Sequence, residues 1–122
     1  MQPEQLTLYQ AVIGGWQASV YEGEQLTPET RFARALEEVE ELRTAVEEGH
    51  DPREIAMEAT DVIITMLGVI DTTGYNAENL LHEKIATIFS KYNPTQLENL
   101  RANGHSHHEA IALAKVMWDG KC

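Results

Sequence analysis

An all-α fold, arranged as an antiparallel helical bundle of four main helices plus short C-terminal helices, is predicted by three observations. Apolar residues recur at helical spacing, strand signals are nearly absent, and helix starts and stops punctuate the chain.

Taken in order, a first helix is expected near 4–20. The second, near 28–48, starts at Thr27-Pro28, a capping residue followed by proline at the first helical position. It places Phe32, Ala35, Leu36, Val39, Leu42 and Val46 on one apolar stripe. Glu37, Glu38 and Glu41 group along one flank of that stripe, and Glu40 projects at the other. The third helix, near 52–72, starts at Asp51-Pro52-Arg53-Glu54 and reads as buried over most of its surface. Its core face comprises Ile55, Ala59, Val62, Ile63, Met66, Val69 and Ile70, while Glu58 and Asp61, ~60° apart, share a stripe with Thr65. The short connection 48–52 predicts that helices two and three pack antiparallel as a hairpin.

A fourth helix near 77–92 starts at Asn76, a fifth near 96–102 at Thr95-Gln96-Leu97-Glu98, and a sixth near 107–118 at Ser106-His107-His108-Glu109. The last two starts fit a capping box, and Gly49, Gly74 and Gly104 fall where helices should stop. The final helix is apolar around most of its circumference, which suits docking on a partner subunit or closing over the core.

A chain of 122 residues suits one domain, 1–122, with its core at about 4–92 and a C-terminal helical extension at about 95–118. Its formal charge of −11 and the absence of any basic stripe disfavour nucleic-acid binding. Neither a secretory signal nor an apolar run of the ~20 residues a membrane span needs is visible, so a soluble, cytoplasmic protein without a membrane partner is expected. Cys122 reads as a terminal thiol without catalytic neighbours.

The chemistry lies in the carboxylates. Between Ile55 and Ile70 the only charges are Glu58 and Asp61, and that stretch offers them no Lys, Arg or His. Burying unpaired acids is costly, and the partner that fits is a divalent cation. Counted from the 48–52 turn, Glu41 and Glu58 sit at similar heights, so Glu37-Glu38-x-x-Glu41 and Glu58-x-x-Asp61 can converge. Together they supply oxygen-only ligands of the kind that Mg²⁺ and Mn²⁺ accept.

This paired motif, with Trp16 on the first helix and the phrase Leu36-Glu-Glu-Val-Glu-Glu-Leu42, resembles that of the MazG-like all-α nucleoside triphosphate pyrophosphohydrolases, relatives of dimeric dUTPases and phosphoribosyl-ATP pyrophosphohydrolase. The resemblance spans about residues 9–92. It implies Mg²⁺-dependent cleavage of a (d)NTP between the α and β phosphates, giving the monophosphate and pyrophosphate. On that pattern Glu38, Glu41, Glu58 and Asp61 are metal ligands, and Glu37 and Glu38 serve catalysis, Glu37 by binding a further ion or orienting water. Lys84, Lys91 and the nearby Asn93 are the matching candidates for phosphate contact, with Ile88 where the family pattern would place Asn. Trp16 is the base-site candidate, and a homo-oligomer, dimer or tetramer, is implied.

Other residues read as structural. Phe32 and Tyr92 suit core or subunit contacts, and His105, His107 and His108 a polar helix start rather than a zinc site. A redox di-metal bundle needs Glu-x-x-His on two helices, whereas the single Glu47-x-x-His50 runs off its helix through Gly49. The competing class is a non-catalytic acidic helical oligomer acting as an interaction or regulatory module.

Overall fold

The computed structural model describes residues 4–119, so Cys122 lies outside the described residues. The described chain is all-helical: α1 Gln5–Val20, a short 3₁₀ turn Gly23–Gln25, α2 Pro28–Glu47, α3 Pro52–Thr72, α4 Ala77–Lys91, α5 Pro94–Ala102 and α6 His107–Asp119. Among the described residues no helix is long and apolar enough to cross a membrane.

The starts follow their caps. Thr27 Oγ1 accepts from the Thr30 N–H at 3.2 Å, and Asp51 Oδ1 and Asn76 Oδ1 each accept from an N3 amide at 2.9 Å. Ser106 and Glu109 form a reciprocal box, the Glu109 N–H donating to Ser106 Oγ at 3.2 Å and the Ser106 N–H to Glu109 Oε1 at 2.8 Å. The Ser106 N–H, and after it the Ser106 hydroxyl, hold the Glu109 carboxyl below its ordinary pKa. The α5 start differs from expectation. Asn93, not Thr95, is the cap, its Oδ1 accepting from the Thr95 and Gln96 amides at 2.9 and 3.2 Å. Pro94, lacking an N–H and with φ already helical, fits the first position of that helix better than Gln96 would. Gly49, with φ of 68°, supplies the left-handed step in the short turn between α2 and α3.

The chain forms two compact units, Met1–Asn79 and Leu80–Cys122. In the first, α2 and α1 both pack on α3. Arg31, Ala35, Glu38 and Ala45, spaced at threes, fours and sevens, form the buried seam of α2. The apolar stripe anticipated on α2 is therefore turned partly outward: Ala35 is buried, but Phe32, Leu36 and Val46 are 47–54% exposed. On α3, Ile63 is 56% exposed and Met57 and Ile64 are also exposed, so that helix is less buried than its composition implied. The apolar arcs of α2 and α3 are wider than the strips that their neighbours in this unit cover.

Two buried amides fix α1 on α3. Gln10 Nε2 donates to Tyr75 O at 2.8 Å and to Asp71 Oδ1 at 3.3 Å, and its Oε1 accepts from the Ala77 N–H at 2.6 Å. Gln17 Nε2 donates to Gly68 O at 3.4 Å. The helices meet where side chains are missing: a Cβ on Gly68 would lie 2.3 Å from Gln17 Oε1, and one on Gly14 2.3 Å from Asp71 Oδ2. In the second unit α5 packs on α6 around buried Leu97, Ala110 and Ala114, flanked by Tyr92, Leu100 and Ile111.

Candidate metal centre

Glu38 projects from the buried seam of α2, and Glu58 and Asp61 from the face of α3 that meets it. One oxygen from each of the three carboxylates lies within 4.8 Å of the others. Glu38 is only 5% exposed. Its Oε2 and the Oε2 of Glu58 are buried without a hydrogen-bond partner. At an effective dielectric of ~20, each pair of such charges repels by roughly 3 kcal/mol or more. Three carboxylates gathered this closely, two of them carrying an orphaned oxygen, suit a hard divalent cation in donor type.

Four sequence candidates thus separate into a closed triad and a neighbour. Glu41 stands at the rim, and its carboxyl is pushed above the ordinary range by hydrogen bonding to Glu38, by the Glu38 charge and by that of Glu58. Glu37 is 69% exposed at its side chain and pairs with Arg34 at 3.1 Å.

The absence of a basic residue between Ile55 and Ile70 is partly met from α2. Arg34, one turn before Glu38, ion-pairs with it through Nη2 and with Glu37 through Nη1. Sequence reasoning missed this residue, although the Arg34-x-x-Glu37-Glu38 spacing of three and four is the signal that finds it. Glu40 pairs instead with Arg43.

A cleft of about 160 Å³ opens beside the triad, lined by Glu38, Asp61, Thr65, Arg34, Arg31 and the aromatic pair Trp16 and Tyr21, among others. Trp16 and Tyr21 meet edge to face with centroids 6.0 Å apart. Arg31 is fixed in place: its guanidinium lies 4.0 Å from the Tyr21 centroid and its Nε donates to Gln25 O at 3.2 Å. The structure thus brings Trp16 together with Glu38 and Asp61. Lys84, Lys91 and Asn93 belong to the second unit. There Lys91 Nζ lies 5.2 Å from the Tyr92 centroid and Asn93 is occupied as the α5 cap. His107 Nδ1 stands 3.3 Å from Arg101 Nη1, and among the described residues the three histidines join no metal-holding group.

Comparison with family models, with curated proteins and with solved structures finds no match to this chain.

Proposed function

We propose that this chain is a nucleoside triphosphate pyrophosphohydrolase, dependent on Mg²⁺ with Mn²⁺ as a substitute, that cleaves (d)NTPs between the α and β phosphates to (d)NMP and pyrophosphate. The observation that carries the reading is the pair of buried, partnerless oxygens on Glu38 and Glu58, grouped with Asp61, beside a cleft that Glu38 and Asp61 line together with Trp16 and Tyr21.

Glu38, Glu58 and Asp61 would hold the cation, with Glu41 beside them as a further ligand. Bound there, a divalent ion neutralises triphosphate charge and lowers the pKa of a coordinated water. The chain's own groups do the rest. Trp16 and Tyr21 present ring surface to a base, the Arg34 guanidinium offers charge to phosphate oxygens, and Glu37 orients or deprotonates the attacking water.

The exposed apolar side chains of α1 and α3, including Val12, Ile63 and Ile64, support an antiparallel bundle completed by further copies in a dimer or tetramer. A cytoplasmic setting suits a nucleotide-pool enzyme. The same exposed apolar surface favours the second reading, a non-catalytic acidic oligomer.

Pyrophosphate release from a panel of (d)NTPs with Mg²⁺ or Mn²⁺ separates the two. Native protein should release it and Glu58→Gln should lose at least ~100-fold, since the ion is lost with its ligand. Unchanged release in Glu58→Gln, or none from the folded native oligomer, rejects the enzymatic reading.

A further inference from the structure

Arg34 and Arg31 face the same cleft on successive turns of α2, yet they are held very differently. Arg31 is 9% exposed and anchored by the Gln25 carbonyl and the Tyr21 ring. Arg34 keeps 42% of its side-chain surface exposed, and its partners are the two acids Glu37 and Glu38. Of these, Glu38 belongs to the triad. The guanidinium therefore occupies, from the side, part of the charge balance that a cation would supply, and it satisfies Glu38 Oε1 while Oε2 stays without a donor.

From this we infer that Arg34 is an exchangeable counter-ion: it neutralises Glu38 while the centre lacks a cation, and turns to the phosphates of the incoming nucleotide once a cation takes Glu38 over. The inference rests on the proposed reaction and assigns Arg34 a substrate-positioning role within it. Three features support the exchange. Both bonds of Arg34 are made to acids on its own helix, so moving the head breaks no tertiary anchor. Glu37, exposed, is a second dock that stabilises the head between its two positions. The cleft into which the head would turn is continuous with Trp16 and Asp61, where a stacked base and a cation-bound phosphate would lie. A planar guanidinium suits phosphate recognition better than an ammonium because it can bind two oxygens at once.

Two affinities that a merely structural role would not move in opposite directions test this. The probes are Mn²⁺ alone, followed by the loss of its free-ion resonance signal, and inorganic tripolyphosphate added in the presence of Mn²⁺, followed by calorimetry. Arg34→Met should bind Mn²⁺ alone up to ~5-fold more tightly, because a half-exposed ion pair competing for Glu38 has been removed. The same variant should bind Mn²⁺-tripolyphosphate ~10-fold more weakly through loss of a charge-assisted contact. Arg34→Lys should return Mn²⁺ affinity to the native value while recovering only part of the tripolyphosphate affinity. Unchanged or weaker Mn²⁺ binding in Arg34→Met, or unchanged tripolyphosphate binding, overturns the exchange while leaving the metal centre intact. Native protein that binds no Mn²⁺ overturns both the exchange and the proposed reaction.

Discussion

The two units bury different kinds of residue. In the first, Gln10, Gln17, Arg31 and Glu38 are buried among small residues such as Ala35 and Ala45. In the second, the buried cluster is wholly apolar, Leu97 with Ala110 and Ala114. Buried polar groups contribute little net stability and are costly when a partner is missing. The first unit thus gives up stability at Glu38 and Glu58, where oxygens are left unsatisfied, and recovers it through amide hydrogen bonds elsewhere. The second has no such debt and is held by ordinary packing.

That contrast can be broken or sharpened in order of effect. Leu97→Ala should remove about 3 kcal/mol from the second unit by opening a cavity between α5 and α6. Amide exchange should rise across residues 94–119 and stay unchanged in α2 and α3. Saturating Mn²⁺ should do the reverse. At a hundredfold excess over its dissociation constant it stabilises the folded state by about 2.7 kcal/mol, and protection should increase in α2 and α3 alone. Equal stabilisation of Glu58→Gln would place the ion elsewhere.

Gln10→Ala should cost about 2 kcal/mol, since it leaves the Ala77 N–H without its acceptor in a buried position. Its thermal unfolding midpoint should fall by several degrees. The smallest change is at the α6 start, where Ser106→Ala should cost about 1 kcal/mol. The Glu109 carboxyl of that box has a folded pKa below its unfolded one, so its contribution is complete above the ordinary glutamate range. That contribution fades as pH falls through the lowered value, and helicity measured against pH should lose this component in Ser106→Ala.

Much of this architecture was legible because its signals are local. Thr27, Asp51 and Ser106 cap the helices they were expected to cap, and Gly49 ends α2. The α5 start was misplaced because two cap candidates stand two residues apart, and proline decided between them. The grouping of Glu38, Glu58 and Asp61 was also readable, from helical spacing and distance to a short turn. Which part of an apolar arc faces its own chain was not, since Phe32 and Ala35 carry the same periodic signal and only packing distinguishes them. Arg34 was not legible from the Ile55–Ile70 stretch, which holds no base, because its partner Glu38 lies on α2 and the pair forms between helical neighbours there.

Gln10 and Gln17 are seven residues apart on α1 and grip α3 at two places. They act as a ruler. Sliding α1 by a single residue would displace it by ~1.5 Å and turn it by ~100°, unfastening both amides together. The offset between the indole of Trp16 and the carboxylate of Asp61 is accordingly dictated by two side chains of which one, Gln10, lies outside the cleft. An insertion or deletion between positions 10 and 17 would alter the dimensions of the cleft without changing any residue of the acidic triad.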